Sequence, residues 1–339
     1  MRYAAGSIRT EGSMMAENTN GSALLQVRNL KKYFETPRGL LHAVDDVSFD
    51  IKKGQTLGVV GESGCGKSTL GRAILRLHEP TSGQVIFDGE DIIGLKKKQL
   101  KHLRTRMQII FQDPYASLNP QQTVSQAIIE PAKVQKTYKG EPTEKIKERA
   151  FEMMDFVGLP RRLANTFPHE LDGGMRQRIG IARALVLNPA FVVCDEPVSA
   201  LDVSIQAQIL NLMQDLQEKM GLTYMFITHD LSVVKHLSDE IAVMYLGQMV
   251  EKAPAKDLFA DPMHPYTRAL ISAIPIPDPT VKVKRIILQG ELASPINPGT
   301  GCRFAKRCIY AKPECFEEPQ RLRELSKEHY VACNLVEKH

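Results

Sequence analysis

The sequence predicts an α/β fold with a ligand site at the ends of its buried strands, and three features of the chain indicate it. A glycine-rich loop at residues 61–69 lies between an apolar run at 57–60 and a helical segment at 70–77. A second apolar run, at 190–194, ends in two carboxylates, and a third, at 222–227, ends in Thr-His-Asp. Polar side chains at the carboxyl ends of strands are well placed to reach a bound ligand.

The glycine-rich loop has the spacing of a phosphate-binding loop. It fits G-x-x-x-x-G-K-[ST], in which backbone N–H groups turn inward around phosphate oxygens and the following helix points its positive dipole end at them. Lys67 is expected to reach the β- and γ-phosphates, and Ser68 to ligate Mg²⁺ through its hydroxyl. The alternative, a glycine-rich turn with an accidental Lys-Ser, is disfavoured by the order strand, loop, helix. The predicted nucleotide-binding residues of the loop are Gly61, Glu62, Ser63, Gly64, Cys65, Gly66, Lys67, Ser68 and Thr69.

Three strand ends carry residues expected to act on the phosphates. Asp195 is suited to hold Mg²⁺, usually through water, and Glu196 to polarise the water that attacks the γ-phosphate. The alternative for these two acids is a helix-capping pair. His229 is placed to contact the γ-phosphate and hold that water, although a lone histidine is more often structural. Gln112 ends a strand at residues 107–111 and is likewise placed to reach the ligand.

Size and composition restrict the class of protein. At 339 residues the chain exceeds the usual size of one core, so we expect a main domain of roughly 250 residues with an appendage. No apolar run approaches the roughly 20 residues that cross a bilayer. The net charge of +5 falls short of the usual footprint of a dedicated nucleic-acid binder. Six cysteines, without a charged-then-apolar leader, favour a reducing, cytoplasmic setting.

Outside the motifs, the chain is interpreted as a disordered arm, short strands and an amphipathic helix. Residues 1–22 are small and polar without periodicity, which predicts the arm. Strands are predicted at 24–30 and 44–51, with Tyr33 between them. An aromatic ring there can stack on a purine, although packing is the commoner role. The helix is predicted at residues 143–157, with one apolar stripe.

In their order along the chain, these motifs resemble those of an ATP-binding cassette (ABC) ATPase. The resemblance adds a signature segment at residues 171–175 and a segment Ser-Ala-Leu-Asp that ends at Asp202, and it covers roughly residues 24–252. It implies a phosphate-loop NTPase fold with a RecA-like mixed sheet core, an antiparallel β subdomain, a helical subdomain and a small C-terminal extension with a cysteine cluster. The predicted boundaries are 1–22 for the arm, 23–253 for the ATP-binding domain, 113–188 for its helical subdomain and 254–339 for the extension.

The resemblance also implies a mechanism and residue roles. ATP with Mg²⁺ closes a head-to-tail dimer, in which each phosphate loop is covered by the signature segment of the opposite subunit, and hydrolysis reopens the dimer. By resemblance, Tyr33 stacks on adenine, Gln112 senses the metal, Glu196 is the general base, Asp202 makes a cross-dimer contact and His229 contacts the γ-phosphate. The residues expected near Mg²⁺ are Ser68, Gln112 and Asp195.

One departure from the family pattern changes which subunit we expect this chain to dimerise with. The signature is usually Leu-Ser-Gly-Gly-Gln, whereas this chain has Leu171, Asp172, Gly173, Gly174 and Met175. A serine hydroxyl donates to the γ-phosphate, but a carboxylate repels it, by roughly a few kcal/mol at an effective dielectric near 20. A self-paired dimer would suffer this repulsion twice, so we expect a heterodimer with a partner whose signature is intact. A protonated Asp172, or engineering of the sequence, is the alternative.

The C-terminal segment narrows the resemblance. Its motifs at residues 264–270, 273–275 and 301–304 look like the extension of ATPases from oligopeptide, dipeptide and nickel importers. The sequences around the phosphate loop and Gln112 look closest to the F-type subunit, which pairs with a D-type ATPase. The implied partners are that D-type ATPase, two transmembrane permease subunits and, indirectly, an extracytoplasmic solute-binding protein, with no nucleic acid. The implied location is the cytoplasmic face of the cell (inner) membrane, and the solute stays open among peptides, nickel complexes and other small solutes, with peptide first.

Four cysteines near the C-terminus form a possible ligand set. Cys302, Cys308, Cys315 and Cys333 have the spacing C-x₅-C-x₆-C-x₁₇-C, and thiolates select iron–sulfur clusters or zinc. A short C-x₂-C pair, usual in zinc fingers, is missing from it. This feature, and the resemblance to importer ATPases that hold a [4Fe-4S] cluster here, favour the cluster. Zinc and free or oxidised thiols are the alternatives.

Two other functional classes fit parts of the sequence. A cassette protein of DNA repair or translation usually places two cassettes in one chain or inserts a long coiled coil, and neither pattern is present. A regulatory cassette that binds ATP without hydrolysing it is disfavoured for this chain's own site by the intact Lys67, Asp195, Glu196 and His229. The altered signature leaves that alternative open for the partner's site.

Overall fold

Two β-sheets and a helical layer make up the chain in the computed structural model, which describes residues 23–137, 140–275, 285–290 and 294–337. The arm predicted at residues 1–22 lies outside the described residues. Within those residues, no helix is both long and apolar enough to cross a membrane. The layered α/β arrangement confirms the predicted fold class.

The smaller sheet is antiparallel and has the strand order β2-β1-β4-β5. Its strands are β1 Ala23–Thr36, β2 Gly39–Lys52, β4 Ser82–Phe87 and β5 Glu90–Asp91. Strands β1 and β2 are longer than the sequence pattern predicts, because they continue as a hairpin to the turn at residues 37–38. Tyr33 and His42 are direct partners across this hairpin. The residues predicted to form the connection therefore lie in paired strands.

The larger sheet is mixed and has the order β11-β12-β10-β9-β3-β8-β7-β6. Its strands are β3 Thr56–Val60, β6 Met107–Ile110, β7 Phe191–Asp195, β8 Thr223–Ile227, β9 Glu240–Tyr245, β10 Gln248–Pro254, β11 Arg323–Ser326 and β12 His329–Val331. The five strands from β9 to β6 pair in parallel. Parallel strands covered on both faces become continuous apolar runs, which is why β3, β7 and β8 were visible in the sequence.

Helices pack against the larger sheet, with apolar clusters on each side of it. The helices outside the helical subdomain are α1 Lys67–Ile74, α2 Lys97–Arg106, α7 Val203–Met220, α8 Leu231–Leu237, α9 Ala255–Ala260, α10 Pro265–Ser272 and α11 Glu314–Glu317. The helical subdomain contains α3 Pro114–Ser117, α4 Val124–Gln135, α5 Thr143–Phe156 and α6 Gly173–Leu185. Helix α5 buries Ala150, Met153 and Met154 on one side, which confirms the predicted amphipathic helix.

The C-terminal extension continues the larger sheet. Strand β12 pairs antiparallel with β10, with Glu251 opposite Val331. Glu251 is fully buried and accepts hydrogen bonds from the backbone N–H groups of Met263 (2.8 Å) and His264 (3.0 Å) and pairs with the His329 imidazole (2.7 Å). Main-chain pairing therefore crosses the predicted boundary between residues 253 and 254, and the division of the chain at this point stays a prediction.

Candidate nucleotide-binding site

The glycine-rich loop has the backbone that phosphate binding requires. Helix α1 begins after Gly66, which has φ +103°, a conformation that favours glycine. A Cβ at this position would lie 2.0 Å from the carbonyl oxygen of Ala43, so only glycine fits. Lys67 is buried, and its ammonium donates to the carbonyls of Gly61 (2.8 Å) and Glu62 (3.0 Å). The loop therefore holds a positive charge in its centre.

Oxygen ligands suited to Mg²⁺ lie beside this loop. The Ser68 hydroxyl donates to the Asp195 carboxylate at 2.6 Å. The other oxygen of Asp195, which is fully buried, lies 3.4 Å from an Arg72 guanidinium nitrogen. Mg²⁺ prefers hard oxygen ligands and is bound by one or two carboxylates with phosphate oxygens. The residues present therefore fit the ion that the resemblance implies.

Glu196 is the meeting point of the predicted catalytic residues. Its carboxylate oxygen Oε2 accepts a hydrogen bond from the Gln112 amide at 3.0 Å and lies 3.3 Å from Nδ1 of His229. Glu196 also has φ +47°, in the left-handed region that non-glycine residues rarely occupy and that is concentrated at functional sites. Side chains from two other strand ends, Gln112 and His229, thus converge on the Glu196 carboxylate.

A cavity of about 440 Å³ joins these groups. Of the predicted site residues, it is lined by Ser63, Gly64, Gly66, Lys67, Ser68, Thr69, Gln112, Glu196 and His229. Asp195 contacts Ser68, and Asp195, Gly61, Glu62 and Cys65 are not among the residues that line the cavity. The sequence did not indicate six further lining residues, which are Phe34, Leu41, His42, Ala43, Gly247 and Pro295.

The structure places Tyr33 one layer behind the cavity wall. Its ring stacks on that of His42 with centroids 4.0 Å apart and planes at 23°, and its hydroxyl donates to Asp45. Burial and the hydrogen bond to Asp45 raise the pKa of Tyr33. His42 lines the cavity and Tyr33 does not, although the two residues pair directly across the hairpin. Tyr33 therefore lies directly against a ring that lines the cavity, and its role as the residue that stacks on adenine stays a prediction.

Asp45 anchors this hairpin to the C-terminal extension. Burial alone would raise the pKa of Asp45, but hydrogen bonds from Tyr33 and His42 and the charge of Arg303 hold it below its usual value. Arg303 pairs with Asp45 and donates to the Leu246 carbonyl. The carboxylate is therefore ionised and joins three segments that are distant in sequence.

The signature segment lies away from this cavity. Asp172 caps the N-terminus of α6, where its Oδ1 accepts a hydrogen bond from the backbone N–H of Met175 at 2.7 Å. Aspartate and serine are both favoured N-cap residues, so the helix explains an acid at this position by itself. Gly174 approaches α7, since a Cβ there would lie 2.7 Å from Ile205. Leu171 and Gly173 lie at the same helix start, and Asp202 is the exposed N-cap residue of α7.

The four C-terminal cysteines lie near one another but are not arranged as a metal site. Cys315 and Cys333 are buried, whereas Cys302 and Cys308 are half-buried, and all four are free thiols. Burial and the neighbouring thiols raise the pKa of Cys302 to about 11. Nevertheless, among the described residues no three His, Cys, Asp or Glu side chains are positioned to hold a metal ion. The donor atoms suit a thiophilic group, but the structure does not support the predicted [4Fe-4S] cluster or zinc.

Fold and site together define an ATPase of the ATP-binding cassette class. A phosphate loop, a magnesium-suited Ser68–Asp195 pair and a carboxylate held by Gln112 and His229 surround one cavity at the ends of parallel strands.

Comparisons with known proteins agree with this class. The ABC transporter family model matches residues 44–199, and the model for the oligopeptide/dipeptide transporter C-terminal region matches residues 250–315. The oligopeptide transport ATP-binding protein AppF of Bacillus subtilis is 51% identical over 327 residues, which cover 93% of this chain and 98% of AppF. OppF of the same organism is 57% identical over 265 residues, covering 78% of this chain and 86% of OppF.

Solved structures show the same cassette. A dimeric ATP-binding cassette in a post-hydrolysis state, bound to ADP and Pi, has a TM-score of 0.62 at 30% identity and covers 68% of this chain and 98% of its own. CbiO1 from Clostridium perfringens, part of an ABC transporter complex, has a TM-score of 0.63 at 29% identity, covering 71% and 92%. The chain belongs to the ATP-binding subunits of ABC transporters, in the branch that carries the oligopeptide/dipeptide transporter C-terminal region.

Proposed function

We propose that this ATPase binds ATP in the cavity at Lys67 and uses its hydrolysis to drive the uptake of peptides. The observation that carries the proposal is the convergence of Gln112 and His229 on the Glu196 carboxylate beside the phosphate loop. Peptides are the first candidate cargo because AppF and OppF are oligopeptide transport proteins. Nickel complexes and other small solutes are the alternatives.

In the proposed mechanism, Glu196 accepts the proton of the attacking water. Its carboxylate is 13% exposed, so the base is shielded from bulk solvent yet open to the cavity. Gln112 and His229 fix the carboxylate from two sides, and Lys67 places a positive charge where the phosphates would lie. Mg²⁺, held by Ser68 and Asp195, would neutralise charge on the phosphate oxygens.

We further propose that the active form is a heterodimer with a second, D-type ATPase. The support is the exposed Asp172 carboxylate at the start of α6. The cap hydrogen bond and the helix dipole favour a negative charge at this position, and a carboxylate there would repel a γ-phosphate brought to it. At a separation of about 5 Å and an effective dielectric of 20, that repulsion is about 3 kcal/mol. A partner signature with serine would avoid this cost at the site of this chain.

A groove between the sheet core and the helical subdomain is the proposed contact with the permease subunits, at the cytoplasmic face of the membrane. This groove has a volume of about 350 Å³ and its apolar lining includes Leu75, Leu77, Leu103, Met107, Ile109 and Val134. Leu77 is 46% exposed and Val134 60% exposed, an unusual cost for a surface without a partner. Arg183 lines the groove and donates to the Ser117 carbonyl, in the short helix after Gln112. Movement of the Gln112 segment would therefore reach the permease through α3.

Nucleotide dependence and subunit composition test the proposal together. We expect Lys67→Ala to abolish ATP binding, measured by calorimetry, and peptide uptake by cells. Purification of the wild-type chain from its native membrane should recover a second cassette with an intact signature, two permeases and a solute-binding protein. Uptake that survives Lys67→Ala, or full activity without a second ATPase, would contradict the proposal.

The groove is tested by replacing its exposed apolar residues. Leu77→Asp with Val134→Asp should reduce recovery of the permeases with the chain and leave ATP affinity unchanged. Phe156→Asp is the matched control, because Phe156 is also 46% exposed but lies on α5 outside the groove. Equal loss of permeases in both variants would refute the assignment.

The cysteine group is proposed to hold a [4Fe-4S] cluster, on the chemistry of four neighbouring thiols alone. Iron and acid-labile sulfide in the anaerobically purified protein, with visible absorption lost in Cys315→Ser, would support a cluster. Stoichiometric zinc without iron would contradict the cluster and identify a zinc site instead.

A further inference from the structure

The C-terminal extension contacts the back of the phosphate loop. Both terminal guanidinium nitrogens of Arg307 bind the Glu62 carboxylate, at 2.7 and 3.0 Å. The Arg307 side chain is 10% exposed and that of Glu62 is 28% exposed. The pair is therefore partly desolvated, and a bidentate arginine–carboxylate contact of this kind fixes orientation as well as charge.

A second contact from the extension holds the same loop residue. The backbone N–H of Glu62 donates to the hydroxyl of Tyr266 at 2.9 Å. Tyr266 is fully buried against Tyr245, whose hydroxyl lies 3.4 Å from Arg307. Main chain and side chain of Glu62 are thus both held by groups outside the loop. This matters for the nucleotide, because an unpaired carboxylate beside the phosphate loop would repel phosphates.

A second arginine of the extension, Arg303, contacts the residues at the end of the cavity opposite the phosphate loop. Arg303 is 6% exposed in its side chain and pairs with Asp45. Asp45 in turn binds both Tyr33 and Nδ1 of His42, the ring that faces the cavity. Arg303 therefore acts on the base end of the cavity through Asp45, and Arg307 acts on the phosphate end through Glu62.

Backbone bonds place a third part of the extension in the cavity wall. The N–H of His42 donates to the Pro295 carbonyl at 3.0 Å, and Asn297 exchanges hydrogen bonds with Leu40 at 2.9 Å. Pro295 lines the cavity beside His42 as a result. The extension is thus built into the site on the same chain.

We propose that Arg307 and Arg303 are positioning residues of the nucleotide site, one for the phosphates and one for the base. Arg307 neutralises Glu62 and holds the phosphate loop in its binding shape. Arg303 holds the Asp45–His42–Tyr33 group against which the base lies. The inference rests on the proposed placement of ATP in this cavity.

Two ligands separate the two arms of the proposal. Affinities of the full-length chain for MgATP and for inorganic tripolyphosphate with Mg²⁺, which has no base, are measured by calorimetry or competition. We expect Arg307→Gln to weaken both ligands about tenfold, since charge-assisted hydrogen bonds are lost and Glu62 is left unpaired. We expect Arg303→Gln to weaken MgATP by a similar factor and to leave tripolyphosphate unchanged. Arg321→Gln, a change of the same charge at an exposed position of the extension, is the control and should change neither.

Rescue separates positioning from general damage to the fold. In Glu62→Gln/Arg307→Gln the repelling carboxylate is gone, so we expect the double variant to recover most of the affinity lost in Arg307→Gln. Damage to the fold would not be rescued by a second substitution. Equal affinities of Arg307→Gln and Arg321→Gln, or a double variant as weak as Arg307→Gln, would overturn the Arg307 arm. Equal weakening of both ligands by Arg303→Gln would overturn the Arg303 arm, and if Lys67→Ala still binds MgATP, the proposed function itself fails.

Discussion

His264 makes the attachment of the C-terminal extension sensitive to acid. Its imidazole is buried at the N-terminus of α10, where Nδ1 accepts a hydrogen bond from the backbone N–H of Tyr266 at 3.1 Å. Burial lowers the pKa of His264 from 6.5 to about 4, against the opposing effect of the Glu251 charge. Protonation of Nδ1 would convert the acceptor of this cap into a donor. The folded protein therefore requires the neutral ring.

The size of the effect follows from the two pKa values. Between pH 6.5 and about 4 the ring is protonated in the unfolded chain but neutral in the folded one. The unfolded state then binds more protons, so the free energy of unfolding falls as the pH is lowered through this window. One pKa unit corresponds to about 1.4 kcal/mol, which gives a loss of about 3 kcal/mol from this residue. Chemical denaturation at several pH values between 7 and 4 measures the slope.

His264→Asn is the matched variant for this prediction. Asparagine keeps an oxygen that can cap α10 but does not titrate. Its absolute stability should be lower, because the imidazole also packs near Phe304. Its loss of stability between pH 7 and 4 should nevertheless be about 3 kcal/mol smaller than that of the wild type. Parallel pH curves for the two proteins would refute the reasoning.

Three further predictions concern single carboxylates. Asp172→Ala should lower the stability of the chain by about 1 kcal/mol, because the α6 cap is lost, whereas Asp172→Ser should keep the cap. Asp172→Ser should also increase ATP-dependent self-association, measured by gel filtration. Brisk ATPase activity of the chain alone, unaffected by Asp172→Ser, would refute the heterodimer. Glu196→Gln should reduce kcat for ATP hydrolysis by about 100-fold or more while ATP affinity is retained, and an unchanged kcat in a single-turnover assay would exclude Glu196 as the base. Glu251→Gln should lower the free energy of unfolding by about 3 kcal/mol, because His329 loses its buried partner. Chemical denaturation measures this loss, and a value below about 1 kcal/mol would show that the pair contributes as little as a surface ion pair.

The sequence predicted those parts of the site that follow strands along the chain. The glycine-rich loop, Gln112, Asp195, Glu196 and His229 each come within two residues of the end of an apolar run. Position in the sequence relative to a strand therefore predicts both which residues belong to the site and that they lie at the edge of the sheet. The structure brings most of them to one cavity, as a parallel sheet requires.

The base side of the cavity was not predictable in the same way. His42 lines the cavity and lies in a hairpin whose length the strand pattern underestimates. Pro295 arrives there from about 250 residues further along the chain, through hydrogen bonds between backbones that leave no residue pattern. The hairpin was the one sequence signal for His42, because Tyr33 on one strand must have a cross-strand partner on the other.

Asp172 shows how a local role can be hidden by a family pattern. Compared with a family signature, an acid in place of serine indicates a lost contact with phosphate. In the structure the same acid caps a helix, a role that serine and aspartate share. A measurement of ATP-dependent dimer closure separates the two interpretations, because in the isolated chain the Asp172 carboxylate already has a hydrogen-bond partner in the cap.

The pairing of β12 with β10 also determines how this protein can be shortened. Strand β10 is buried over most of its length, and an uncovered strand edge is a template for pairing with another chain. The outermost strand in this direction is instead β11, which has four residues and begins with Arg323 and Glu324. A fragment that stops before the terminal hairpin would expose β10 and should precipitate rather than yield a free, soluble ATPase, so expression work on this cassette should retain its last residues.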